Sequence, residues 1–232
     1  MIDIHCHVLP QMDDGSRGVE ESLSMLEALA AQGVRCVAAT PHFYAQENSP
    51  EEFLRRRAIS AARLREAWKP GLPALKLGAE VCYYQGISQC EALEALRIED
   101  TRLLLLEMPF ERWTHRTLHE VWEIQSRPGL TVVIAHMERY LRWQKEDTWT
   151  ALAAQGVLNQ CNASFLLNWR SRRRALHLLR SGRVQLMGSD SHNMETRPPR
   201  LGEAYGRLKE RDRTVLAMNG QRFLPDWKEM VE

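Results

Sequence analysis

Ligand-type side chains close one apolar run after another in this 232-residue sequence: Asp3-Ile4-His5-Cys6-His7, Thr40-Pro41-His42, Gly78-Ala79-Glu80, Glu107 behind four leucines, His136, and Ser189-Asp190-Ser191-His192. Imidazoles and carboxylates in this mixture are the donor set of a polynuclear site for divalent metals. A lone strand histidine is ordinarily a hydrogen-bonded core residue, but His5 and His7 form a pair. Alternate residues of a strand point to one side, so both imidazoles can share one ion while Cys6 faces away. Glu80 ends an apolar run, and one glutamate can bridge two cations held about 4 Å apart. Glu107 has two readings, a metal ligand or a structural acid paired with a cation or a helix N-terminus.

Successive candidates lie 35 residues apart from His7 to His42, then 38 to Glu80, 27 to Glu107, 29 to His136, 26 to Asn162 and 28 to Asp190. Each interval matches one βα unit, and right-handed crossovers keep the strand C-termini on one side. Strands are expected near 2–6, 34–39, 74–79, 102–107, 130–135, 157–162 and 184–189. The strongest helical periodicity runs from Glu20 to Gln32, with Gly33 as its stop. A second helix is expected from Ser49, a cap, through Pro50 in the first turn to Trp68. Shorter ones are expected near 115–126, 146–155, 169–181 and 200–210. His115 and His119 have helical spacing but lack the glutamate of a zinc helix, and with His177 they read as solvated helix faces.

One domain over residues 1–232 is expected, since α/β barrels run to this size and no linker, low-complexity tract or repeat divides the chain. A net charge of +1 advertises neither nucleic acid nor an anionic membrane. No apolar run is long enough to span a bilayer, and a strand pattern begins at Met1, leaving no room for a signal peptide; the expected location is cytoplasmic. Five cysteines without CxxC spacing suit free thiols in that compartment. None has an arginine six residues on, which excludes the cysteine-nucleophile phosphatase loop, and no GxxxxGK[ST] or GxGxxG turn supports nucleotide chemistry.

Several blocks make the resemblance specific: Asp3-Ile4-His5-Cys6-His7, Asp13-Asp14-Gly15, Pro41-His42, Gly78-Ala79-Glu80, His136-Met137-Glu138-Arg139-Tyr140, Asn162, and Ser189-Asp190-Ser191-His192-Asn193 with Arg197-Pro198-Pro199. From Met1 to about Tyr205 the chain resembles the polymerase and histidinol phosphatase (PHP) superfamily. Within it, the chain is similar to the bacterial tyrosine-protein phosphatases of capsule and exopolysaccharide clusters, the CpsB/YwqE type. The resemblance implies an α/β fold, a distorted (β/α)7 TIM-like barrel. It implies three divalent ions, manganese first, with iron, zinc, magnesium or cobalt as alternatives. His5, His7, Glu80 and Asp190 would surround one ion, Glu80 would be shared with a second held by Glu107 and His136, and Asp14, His42 and His192 would hold the third. Asn162 would stand nearby, orienting a neighbour. The implied substrate is the phosphotyrosine tail of a bacterial tyrosine kinase that acts as polysaccharide co-polymerase. Ser16, where the family commonly has proline, and a short loop from Phe43 to Ser49 depart from the pattern and bear on peptide preference.

The expected chemistry is in-line attack on phosphorus by a metal-bound hydroxide. Arg139 and Arg197, just past His136 and His192, are placed to take charge on the phosphoryl oxygens through their planar forks. A phenolate, with a pKa of about 10, leaves with less acid assistance than an alkoxide. Trp143 and Trp149 near Tyr140 either rim the substrate mouth or pack on the barrel, packing being the preferred reading. Arg170, Arg172, Arg173 and Arg174 beside Trp169 read as a solvated face. Three readings follow. The first is a metal-dependent protein-tyrosine phosphatase. The second is a phosphomonoesterase of the same superfamily acting on histidinol phosphate or a nucleotide. The third is a metal-bound module that recognises a phosphorylated tail without turnover. Relative rates on phosphotyrosine and alkyl phosphates separate the first two; tight binding without phosphate release marks the third.

Overall fold

The computed structural model describes residues 1–224, and the architecture is mixed α/β around a curled parallel sheet. In chain order the strands are β1 (Ile2–Cys6), β2 (Cys36–Ala39), β3 (His42–Phe43), β4 (Ala74–Leu77), β5 (Glu80–Cys82), β6 (Leu103–Glu107), β7 (Thr131–Ile134), β8 (Leu158–Asn162) and β9 (Leu186–Gly188). The helices are α1 (Val19–Ala31), α2 (Pro50–Glu66), α3 (Leu93–Leu96), α4 (His115–Gln125), α5 (Glu146–Ala154), α6 (Ala163–Leu167), α7 (Arg172–Arg180), α8 (Leu201–Gly206) and α9 (Glu210–Phe223).

Three strands pair in the order β1-β2-β4, and six in the order β3-β5-β6-β7-β8-β9, with every pairing parallel. Nine strands stand where seven were expected, because the expected strands 34–39 and 74–79 each resume beyond their ends, as β3 and β5. Pro41 has no N–H to continue the ladder between β2 and β3. At Gly78, between β4 and β5, an added Cβ would lie 2.9 Å from Ile98 Cγ1. Across the breaks, Gly78 N donates to Ala39 O at 2.8 Å and Glu80 N to Pro41 O at 3.0 Å, so each run keeps its direction. The outer strands also approach one another: Cys6 bridges Ser191 in parallel, Asp190 N donates to His5 O at 2.8 Å, and His7 N to Ser191 O at 2.9 Å.

Side chains alternate between two cores, as the strand pleat requires. Ile4, Ala38, Leu103, Leu105, Val133, Leu158 and Leu186 form a cluster on the face enclosed by the curl. Val37, Ala39, Leu104, Leu106, Val132, Ile134 and Met187 meet the apolar faces of the helices on the other. In β1 the pairing shifts between Asp3 and Cys6, an irregularity of the kind that re-aims side chains beside active sites. Beyond it, Cys6 joins the outer core and both histidines reach the site, whereas Asp3 turns to accept from Ser189 N and His5 N.

Helix ends follow local chemistry. The Ser49 hydroxyl caps α2 by accepting from Glu52 N at 3.2 Å, and Gly33 takes φ +84° behind α1. The expected 200–210 helix stops at Gly206, and a new helix, α9, begins at Glu210. The 169–181 helix is likewise α7 alone, with α6 standing apart before it. All five cysteines are free. Among the described residues no helix is long and apolar enough to cross a membrane.

Candidate metal centre

Strand ends deliver the site. His5 lies in β1 with His7 one residue beyond it, and His42 opens β3 in register with Glu80, which opens β5. Glu107 closes β6, Asn162 closes β8, and His136 and Asp190 each follow a strand by two residues. These last two have positive φ, 32° and 53°, the sparsely populated left-handed region in which backbone strain tends to mark functional positions.

All nine candidate ligands meet in one connected cluster. Glu80 Oε2 is 3.1 Å from His5 Nε2, 3.3 Å from His7 Nε2 and 3.1 Å from His42 Nδ1, while its Oε1 is 2.8 Å from His136 Nε2. His136 Nε2 is also 3.2 Å from Glu107 Oε1. Asp190 Oδ1 lies 3.6 Å from His5 Nε2 and 3.5 Å from His7 Nε2, and the open Asp14 lies 3.3 Å from His192 Nε2 and 3.5 Å from His42 Nε2. Three donor sets have all their atoms within 4.8 Å of one another: His7, Asp14, His42 and His192; His5, His7 and Asp190; and His42, Glu80 and Glu107. His7 and His42 therefore each stand in two sets, a tighter sharing than the expected partition.

The donor set fits divalent cations on the hydrogen-bond pattern alone. His5 Nδ1 meets Gln160 Oε1 at 3.2 Å and His7 Nδ1 meets Asp13 Oδ2 at 2.7 Å, so each imidazole carries its proton on Nδ1. Their Nε2 lone pairs then face each other at 3.2 Å, beside two carboxylate oxygens. Acceptors at such range call for positive charge between them, a proton or a cation, and imidazoles and carboxylates are the donor types that hold divalent ions. His42 Nδ1 and His192 Nε2 are buried without a hydrogen bond although carboxylate oxygens of Glu80 and Asp14 stand 3.1 and 3.3 Å away.

The site's electrostatics show where positive charge is drawn in. Burial opposes ionisation of Glu80 and Asp190, but the surrounding histidines, His5 foremost, hold both carboxyls well below the usual range. Burial keeps His42 and His192 neutral, His192 down to about 3 with His7 and Arg197 adding to the effect. A ligating imidazole has to be neutral. His136 is pushed up to about 9 and His7 well above the usual range, since contacts with Glu107 and Glu80, and with Asp13, Asp190 and Glu80, outweigh burial, so a bound cation would displace a proton from each.

A family model for capsular polysaccharide synthesis, CpsB/CapC, matches residues 1–220. The chain belongs to the CpsB/CapC family. It is 30% identical to the tyrosine-protein phosphatase CpsB of Streptococcus agalactiae over 97% of this chain and 98% of the relative. It is also 30% identical to the tyrosine-protein phosphatase YwqE of Bacillus subtilis, over 85% of this chain and 79% of the relative. Its structure is similar to one in a set of crystal structures of YwqE from Bacillus subtilis and CpsB from Streptococcus pneumoniae, described as metal-dependent tyrosine phosphatases. The TM-score is 0.79 at 26% identity, covering 95% of this chain and 93% of the other. A histidinol phosphate phosphatase of Lactococcus lactis, at 14% identity and TM-score 0.55, shares the fold alone.

Around the CpsB/CapC centre stand residues to which sequence reasoning gave no role. Asp13 binds His7 and also accepts from Gly15 N and His42 N, tying three segments of the site together. Gln160 Oε1 accepts from His136 N at 2.7 Å as well as from His5, and its amide donates to Asn162 Oδ1 at 2.8 Å. Asn162 passes the chain on to Asp190 Oδ2 at 2.6 Å. Gln160 and Asn162 share one face of β8 by strand alternation, the signal that would have found Gln160. Gln160→Leu removes the partner that fixes the His5 tautomer. Manganese titration is expected to show a 10- to 100-fold weaker site, and unchanged affinity would sink this role.

Of the remaining histidines, His119 is exposed beside Glu123, and His115 and His177 are exposed on helices. Trp149 is buried edge-on against Trp113, a packing role, while Trp143 stands half-buried near Phe110.

Proposed function

We infer that this chain is a metal-dependent protein-tyrosine phosphatase. It acts on the phosphotyrosine tail of a bacterial tyrosine kinase or co-polymerase that controls capsular or exopolysaccharide synthesis, in the cytoplasm. The observation that carries the reading is the convergence of five imidazoles and four carboxylates, two of the imidazoles with a buried ring nitrogen that has no hydrogen bond, with two arginines beside them. The names and metal dependence of the similar proteins support it. The closing contacts between Cys6 and Ser191 support a distorted (β/α)7 barrel. A core contiguous from Cys6 to Leu216 supports a single domain.

In this reading three divalent ions, manganese first, are held by His5, His7, Asp14, His42, Glu80, Glu107, His136, Asp190 and His192. Such ions supply Lewis acidity and lower the pKa of bound water from near 16 to about 7. The protein's own contribution is orientation and charge. Arg139 Nη2 donates to Asp190 Oδ2 at 2.7 Å, and Arg197 Nη2 lies 2.8 Å from Oδ1 of the same carboxylate. One aspartate thus anchors both guanidiniums, each 37% exposed, with further N–H groups left to meet phosphoryl oxygens. Arg139→Ala and Arg197→Ala are each expected to cost 10²- to 10³-fold in turnover, as loss of a preorganised donor does.

The test is phosphate release from a phosphotyrosine peptide and from an alkyl phosphate, with and without chelator, with manganese restored and His136→Ala as control. Release from the peptide that chelator abolishes and manganese restores is the expected result. Preference for the alkyl phosphate would transfer the assignment to a small-molecule phosphatase, and tight binding with no release on either would leave a recognition module.

A further inference from the structure

We propose that Phe110 is the specificity-determining residue of the site, an aromatic platform on which the phenol ring of an aryl phosphate stacks. The proposal rests on the phosphatase reading and adds to it the feature that selects aryl over alkyl esters. Among the described residues Phe110 is one of few large apolar side chains left open, 49% exposed, and it stands beside the donor cluster. Its ring lies nearly parallel to that of His136, 17° between planes and 6.2 Å between centroids. His136 Nε2 touches both Glu80 and Glu107. A phosphate engaged at that edge of the cluster carries its ester oxygen, and whatever the oxygen is attached to, into the layer where Phe110 stands.

Phe110 is also held in place. On its inner side it stacks on Tyr140 at 5.5 Å, and Tyr140 is itself fully buried with its hydroxyl accepting from Met108 N. The loop is pinned on both flanks: Trp113 Nε1 donates to Pro109 O at 3.0 Å and Gln144 Nε2 to Glu111 O at 2.7 Å. A ring fixed before the ligand arrives loses little entropy on contact. Packing alone does not account for it, since burying an aromatic ring is favourable and this one is half open to water. Trp143 is the weaker candidate, because the Arg142 guanidinium already covers its ring at 3.8 Å. Tyr44 stacks on His42 at 5.2 Å at another edge of the cluster, but is only half-open.

The test is calorimetric binding of phenylphosphonate and methylphosphonate to the manganese-loaded protein, which needs no turnover. The wild type is expected to bind the phenyl compound about tenfold more tightly, the scale of one aromatic pair with its buried area. Phe110→Ala should bring that ratio near one while leaving methylphosphonate affinity within twofold. Phe110→Trp should restore the preference, and Phe110→Leu should recover only part of it. An equal loss for both ligands, an unchanged ratio in Phe110→Ala, or no binding of either to the wild type overturns the proposal. Failure of the phosphatase reading is seen separately, as no phosphate release from a phosphotyrosine peptide by a wild type that still shows the phenyl preference.

Discussion

Glu80→Gln is expected to leave the protein folded, strip it of most of its manganese and cut phosphate release from a phosphotyrosine peptide by about 10³-fold or more. The side chain keeps its size, so the buried strand at β5 has no packing reason to move. What changes is the number of lone pairs and the charge. The carboxylate lies within 3.3 Å of a ring nitrogen of His5, His7, His42 and His136, four of the five histidines in the centre. An amide offers one acceptor and one donor group. If its oxygen turns to His136, an NH2 faces His5, His7 and His42; if it turns the other way, the NH2 faces His136. Neither orientation can hold a cation on both sides. Elemental analysis after gel filtration, a thermal melt and an initial-rate assay check the three parts. Full metal content with activity within tenfold of wild type would refute the bridging role, and a collapsed melt would show that Glu80 holds the fold rather than the ions.

The residues that could be read from sequence are those whose chemistry conflicts with their surroundings. A histidine or glutamate at the end of a largely apolar run is costly unless something compensates it, so His5, Glu80, Glu107 and His136 stood out against their runs. The strand rhythm was legible for the same reason, since a parallel strand buried on both faces is almost wholly apolar. Features that depend on the approach of distant segments were not legible. The irregularity in β1 is a misfit between β1 and β2, invisible in either strand alone. The resumption of the strand as β3 beyond Pro41 was not legible, because the two residues His42 and Phe43 are too few to show a period. Gln160 is an uncharged residue in a buried strand, with no charge to signal that it holds His5 and the His136 backbone. Phe110 follows Pro109 in a loop, where an aromatic residue carries no periodicity. Its relation to His136 exists only once β6 and β7 lie side by side.

Gly188→Ala is expected to lower the melting temperature by roughly 5–10 °C and to weaken manganese binding, although glycine to alanine in a strand is ordinarily favourable. Gly188 faces β1 where the outer strands of the curled sheet meet. A Cβ there would lie 2.5 Å from His5 Cβ, 3.1 Å from His5 N and 3.2 Å from His5 Cα. The obstruction is backbone and the root of a side chain, so no rotamer change relieves it; one strand has to retreat. Overpacking of this kind costs about 1–3 kcal/mol, and each kcal/mol is worth roughly 2–4 °C in a chain of this length. Retreat also stretches the Asp190 N to His5 O bond, the link that sets the two residues side by side at the centre. Stability and metal affinity should therefore fall together, unlike Gln160→Leu, where weaker binding is the primary effect. Gly206→Ala is the control, because an added Cβ meets nothing within 4 Å and the position lies in a helix, so its melt should match or exceed that of the wild type. Were Gly188→Ala to melt with the wild type and bind manganese as tightly, the strands would have room that this packing denies them, and the centre would not depend on how closely β9 approaches β1.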